Sequence, residues 1–68
     1  MENWQERVIS ESKDLHVKLV YLEEFMESDQ FRKLPDDDRD LLRIQFHSMS
    51  AYWNVLGLRI NRFSHATH

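Results

Sequence analysis

A chain of 68 residues with a net charge of −3 and no cysteine is at most one small domain, without disulfides or thiolate zinc sites. Charged residues make up 31% of it, yet nothing forms a basic footprint for duplex nucleic acid, so DNA is excluded as the expected partner. Neither a secretory signal nor an apolar run long enough for a membrane span is visible, and a soluble intracellular protein is expected.

The first predicted element is a helix over about residues 3–28. Val8, Leu15 and Leu22 recur every seven residues, and Ser12, Leu19 and Met26 follow four positions behind, which places both rows on one face at helical spacing. Residues 29–35 are expected to form a turn, with Phe31 and Leu34 folding back as anchors. Pro35 suits the start of the next helix, where its missing N–H would have no intrahelical partner.

A second helix is predicted over about 36–64. Leu42, Met49, Leu56 and Phe63 form one row and Phe46, Trp53 and Ile60 its companion. Asp36, Asp37, Asp38 and Asp40 open this helix, and Arg59 and Arg62 close it, the arrangement that the helix dipole favours. Residues 65–68 read as a frayed tail. The fold class is therefore all-α, an antiparallel two-helix hairpin forming one domain over residues 1–68.

Antiparallel folding would set Leu22 against Met49, Leu15 against Leu56 and Val8 against Phe63, with Leu19 against Trp53. A third row differs in kind: Trp4, Glu11, Lys18 and Phe25 on the first helix, Gln45, Tyr52 and Arg59 on the second. In the same register Glu11 would pair with Arg59, Lys18 would lie by Tyr52 and Phe25 by Gln45. Charges beside a core must be paired or reach water. Two readings stay open for this row. It either fixes register through ion pairs, or lines a pocket for an anionic aromatic ligand, with guanidinium and ammonium groups on phosphate and a ring under a base.

Val17, Val20, Tyr21, Ile44, Val55 and Leu58 fall outside the seam and need another partner. A hairpin alone buries little, so assembly into a homo-oligomeric helical bundle is expected, with a dimeric four-helix bundle as its simplest form. Gly57 inside the second helix would be explained by close approach of another helix. Trp4 has the fewest evident partners in its own hairpin.

His16 and His47 are placed on outer faces and His65 and His68 in the tail, so no metal site and no cofactor is expected. No glycine-rich turn exposes a serine nucleophile, and no loop cradles phosphates. The chain is not read as an enzyme.

Glu6-Arg7-Val8, Glu11, Leu15, Lys18, Leu22 and Phe25 carry a resemblance, together with Phe31, Leu34-Pro35, Leu41-Leu42, Gln45, Met49, Tyr52, Leu56, Arg59-Ile60 and Phe63. Over almost the whole chain up to Phe63 it resembles a family of small helical-hairpin proteins of crAss-like and other tailed phages. That resemblance implies a phage accessory protein in the host bacterial cytoplasm. A looser analogy, of fold and context alone, is to phage hairpin proteins that act as sponges for the nucleotide signals of antiphage defence. The tyrosine-and-lysine motif of the best-known sponge family is not present, so no ligand residues are carried over.

The expected function is sequestration of a cyclic oligonucleotide or ADP-ribose derivative between hairpins. Lys18 and Arg59, with Arg7 or Arg62, would hold phosphate, and Tyr52 or Trp4 would stack on a base. The alternative is a non-enzymatic interaction module that inhibits or bridges a host or phage protein.

Overall fold

The computed structural model describes residues 3–66, and every element among them is helical: α1 Trp4–Met26, α2 Asp29–Arg32 and α3 Asp36–Ala66. Each start has a local cause. Asn3 caps α1, its side-chain oxygen accepting from the Gln5 N–H at 3.0 Å. At α3 the Pro35 carbonyl accepts the first helical hydrogen bond from the Arg39 N–H at 3.1 Å, and Asp36, Asp37 and Asp38 occupy the positive end of the helix.

Between the long helices the chain makes one further helical turn. Ser28 ends one helix and begins the next: its hydroxyl donates to the Phe25 carbonyl at 2.5 Å and accepts from the Phe31 N–H at 3.2 Å. The backbone N–H of Ser28 also donates to the Phe25 carbonyl. Phe31 is buried beneath this turn, edge-on to Phe25 with centroids 6.1 Å apart, and the Arg43 guanidinium lies 5.4 Å from its ring. Part of the stretch expected as a turn is therefore α2, because a serine able to cap in both directions sits at its start. At the far end, helix continues two residues beyond 64, to Ala66. The rest of the expected tail, residues 67 and 68, lies outside the described residues, and so does the side-chain placement of His65.

α1 and α3 pack side by side in opposite directions, the start of α1 against the end of α3, in a molecule 51 × 19 × 16 Å. Every residue of the two seven-residue rows on each helix is buried or half-buried, whereas the third row is exposed except for Phe25. Leu56 has no solvent exposure, and Val8, Leu19 and Phe31 complete the fully buried set. The rows follow from helical periodicity, and the side-chain contacts across the pair extend past the expected partners. Phe63 packs edge-on to Trp4, Trp53 stacks on His16 and shares a groove with the expected Leu19, and Tyr52 shares a groove with the expected Lys18 while its phenol reaches Glu11. The ring contacts and the phenol hydrogen bond lie on the N-terminal side of the expected partners on α1, by about one helical turn for the rings and about two for the phenol, which long side chains span.

Candidate ligand-binding site

Glu11 and Tyr52 are joined by a hydrogen bond from the phenol to the Glu11 carboxylate at 2.6 Å. The sequence expectation paired Glu11 with Arg59. The long tyrosine side chain spans the distance to Glu11 and takes its carboxylate instead. The phenol is consequently held above the ordinary tyrosine value, chiefly by that hydrogen bond, then by desolvation and the Glu11 charge. Arg59 acts in the opposite direction, so its guanidinium is an electrostatic neighbour of the phenol.

The six residues singled out from the sequence divide between two grooves. Arg7, Lys18 and Tyr52 line a groove of about 520 Å³, together with Ser10, Glu11, Asp14 and Leu15. Two cations there face two carboxylates, and Tyr52 already spends its proton on Glu11. Trp4, Arg59 and Arg62 line a second groove of about 320 Å³, with Phe63 as the remaining wall. Lys18 and Arg59 thus line separate grooves rather than one pocket.

The second groove has a different chemistry. Its described lining carries two guanidinium groups and two aromatic rings, with no carboxylate. Trp4 is held edge-on to Phe63 with centroids 5.4 Å apart, yet remains half exposed, which leaves indole surface available for stacking. Sequence reasoning gave Trp4 few partners within its own chain; Phe63 supplies one. Phe63 was read only as a seam residue, and its position seven residues after Leu56 could not show that it also walls a groove.

His16 lies 5.1 Å from Trp53, nearly parallel, so this histidine is occupied with an aromatic partner at the helix pair's opposite edge. No group of three metal-ligating side chains is found among the described residues. No described helix is long and apolar enough to cross a membrane.

Neither the curated proteins nor the solved structures contain a match to this chain. A protein-family model does match, over residues 2–62, which takes in α1, α2 and most of α3, including Trp4, Glu11, Tyr52 and Arg59. By that match the chain belongs to the Sequestin family.

Proposed function

We propose that this protein is a phage accessory protein that binds and sequesters a nucleotide immune signal in the host bacterial cytoplasm, without covalent change to it. The observation that carries the reading is the groove in which Arg59, Arg62, Trp4 and Phe63 converge with no acidic lining among the described residues. Planar guanidinium groups suit bidentate contact with phosphate oxygens, and an exposed indole offers a face to a base. The name of the family, Sequestin, supports a sequestering role.

In this reading Arg59 and Arg62 contact phosphate and Trp4 stacks on the base. Arg7, Lys18 and Tyr52 in the adjoining groove contribute the second contact zone for a ligand with more than one phosphate. Self-association of the two-helix hairpin into a homo-oligomeric bundle multiplies these sites and shields the exposed apolar residues of α3. The test is a thermal-shift series with cyclic dinucleotides, cyclic trinucleotides and cyclic ADP-ribose isomers. A ligand at 100 times its dissociation constant stabilises the folded state by about 2.7 kcal/mol, a readily measured rise in Tm. Arg59→Ala should abolish the shift while the helical circular dichroism is retained. A flat response to every member of the series rejects the reading.

One observation favours a protein-interaction module instead. Glu11 is satisfied by Tyr52 inside the chain, so part of the polar row serves packing rather than a ligand. Under that alternative Glu11→Ala and Tyr52→Phe should show coupled losses of stability, and Arg59→Ala should leave the capture of the host or phage protein intact.

A further inference from the structure

α3 carries a second apolar stripe that α1 does not cover. Asp37, Leu41, Ile44, Ser48, Ala51, Val55, Leu58 and Arg62 follow one another at alternating steps of four and three, the spacing of a coiled-coil seam, and all eight are exposed. The exposure is large at the bulky positions: 63% at Leu41, 61% at Ile44, 48% at Val55 and 66% at Leu58. This is a continuous face along the longest element of the molecule, not a scatter of isolated apolar residues.

The stripe reads the same in both directions. About its midpoint between Met49 and Ser50, Leu41 mirrors Leu58, Ile44 mirrors Val55 and Ser48 mirrors Ala51. The outermost pair is Asp37 and Arg62, of opposite charge. A self-complementary face of this kind is what an isologous two-fold contact requires, since each residue then meets its mirror residue on an identical surface.

We propose that the partner of this face is a second copy of the same chain, with the two α3 helices packed antiparallel about a two-fold axis at Ser48 and Ala51. Leu41 meets Leu58 of the other copy and Ile44 meets its Val55, so a large side chain fills each outer layer. The small Ser48 and Ala51 at the centre let the helix backbones come close. Asp37 meets Arg62 of the other copy at both ends, and the acidic first turn of each α3 lies beside the arginine-bearing last turns of its neighbour. A parallel pairing would instead stack Asp37 on Asp37 and Arg62 on Arg62. The charge pattern therefore selects the antiparallel arrangement, in which the helix dipoles also oppose each other.

This assignment rests on the self-association proposed above and deepens it by naming the face, the symmetry and the register. It also divides the arginines of the small groove. Arg62 is drawn to the second copy, which leaves Arg59, the neighbour of Tyr52, as the principal phosphate contact.

The chain has no cysteine, so single-cysteine variants give an unambiguous test. Leu41→Cys and Leu58→Cys variants are mixed and oxidised, and the products are identified by mass. The antiparallel pairing gives predominantly the mixed disulfide, because cysteines bridge only when their Cα atoms lie within about 7 Å. Homodisulfides of both variants, with little mixed product, overturn the orientation. In parallel, sedimentation of the full chain should show a dimer that Ile44→Glu converts to monomer with its helical circular dichroism retained. Should Ile44→Glu lose helicity, Ser48→Lys, at an exposed position of the single chain, serves in its place. A monomer at every concentration overturns the self-association as well as this inference. An oligomer that forms no disulfide and is indifferent to these substitutions overturns only the face named here. Ligand binding is read separately, from the thermal shift of Lys18→Ala, since Lys18 lies on α1 outside the stripe.

Discussion

The two faces of α3 are both written in apolar residues, yet only one has a partner within the chain. The inner face contributes Leu56, with no solvent exposure, and half-buried Leu42, Phe46, Met49, Trp53, Ile60 and Phe63. The outer face leaves Leu41, Ile44, Val55 and Leu58 largely in water. Adjacent residues such as Leu41 and Leu42, or Val55 and Leu56, belong to different faces because each step along a helix turns by about 100°. Hydropathy alone therefore cannot rank them, and only the geometry tells which leucine holds the monomer together.

The comparison is broken most severely at Leu56. Leu56→Ala removes a side chain with no exposed surface and should cost about 2–5 kcal/mol, enough to unfold a domain of this size in part or whole. Leu58→Ala, two residues away, should change the stability of the isolated chain by no more than about 0.5 kcal/mol. Urea denaturation at a protein concentration below that of self-association measures both. Equal losses at the two positions would mean that the outer face is already covered in the folded monomer.

Ser28 provides the next effect in size. Its hydroxyl caps α2 and binds the last turn of α1, so Ser28→Ala should cost about 1–2 kcal/mol and loosen Phe31 from Phe25. Hydrogen exchange at the Phe31 amide should report the loosening directly. If that amide stays as protected as in the unaltered chain, the cap does not hold the turn.

Gly57 sharpens the comparison from the other side. A methyl group added there meets nothing within 4 Å, so no approach inside the chain accounts for the glycine. Gly57→Ala should stabilise the isolated chain by up to about 1 kcal/mol through helix propensity. A loss of stability that grows with protein concentration would place another helix against this position.

Much of this division was legible in the sequence. The paired heptad rows on both helices, the proline at the start of α3 and the exposed character of the third row all follow from periodicity, since burial must repeat with the helical turn. The individual contacts across the seam were not legible, because periodicity fixes which face a residue lies on and not how far its side chain reaches along the partner helix. Trp4 on Phe63, Trp53 on His16 and Tyr52 on Glu11 depend on where large side chains find space. For the same reason Trp4, Lys18, Tyr52 and Arg59 were identifiable as members of one row, but their separation into two grooves was not. The outer stripe was visible only in part: Ile44, Val55 and Leu58 stand out as surplus apolar residues, whereas Ser48 and Ala51 join them only once their shared exposed face is seen.

The smallest effect concerns the polar contact that joins the third rows of α1 and α3, between Glu11 and Tyr52. The Tyr52 phenol keeps its proton more tightly in the folded chain than an unfolded tyrosine, which ionises near pH 10. The folded state therefore binds more protons in the window above that value, and stability must fall as pH rises there. The contribution is complete below about pH 10 and is lost as pH climbs through the raised folded value. Phenolate absorbance during alkaline titration should show a step later than that of an unfolded tyrosine, with Tyr52→Phe removing the later step. Glu11→Gln should bring that step back toward the ordinary value, since it removes the charged acceptor that dominates the shift. A later step that persists in Glu11→Gln would mean that the phenol is held by some other group, and the Tyr52–Glu11 contact would fail with it.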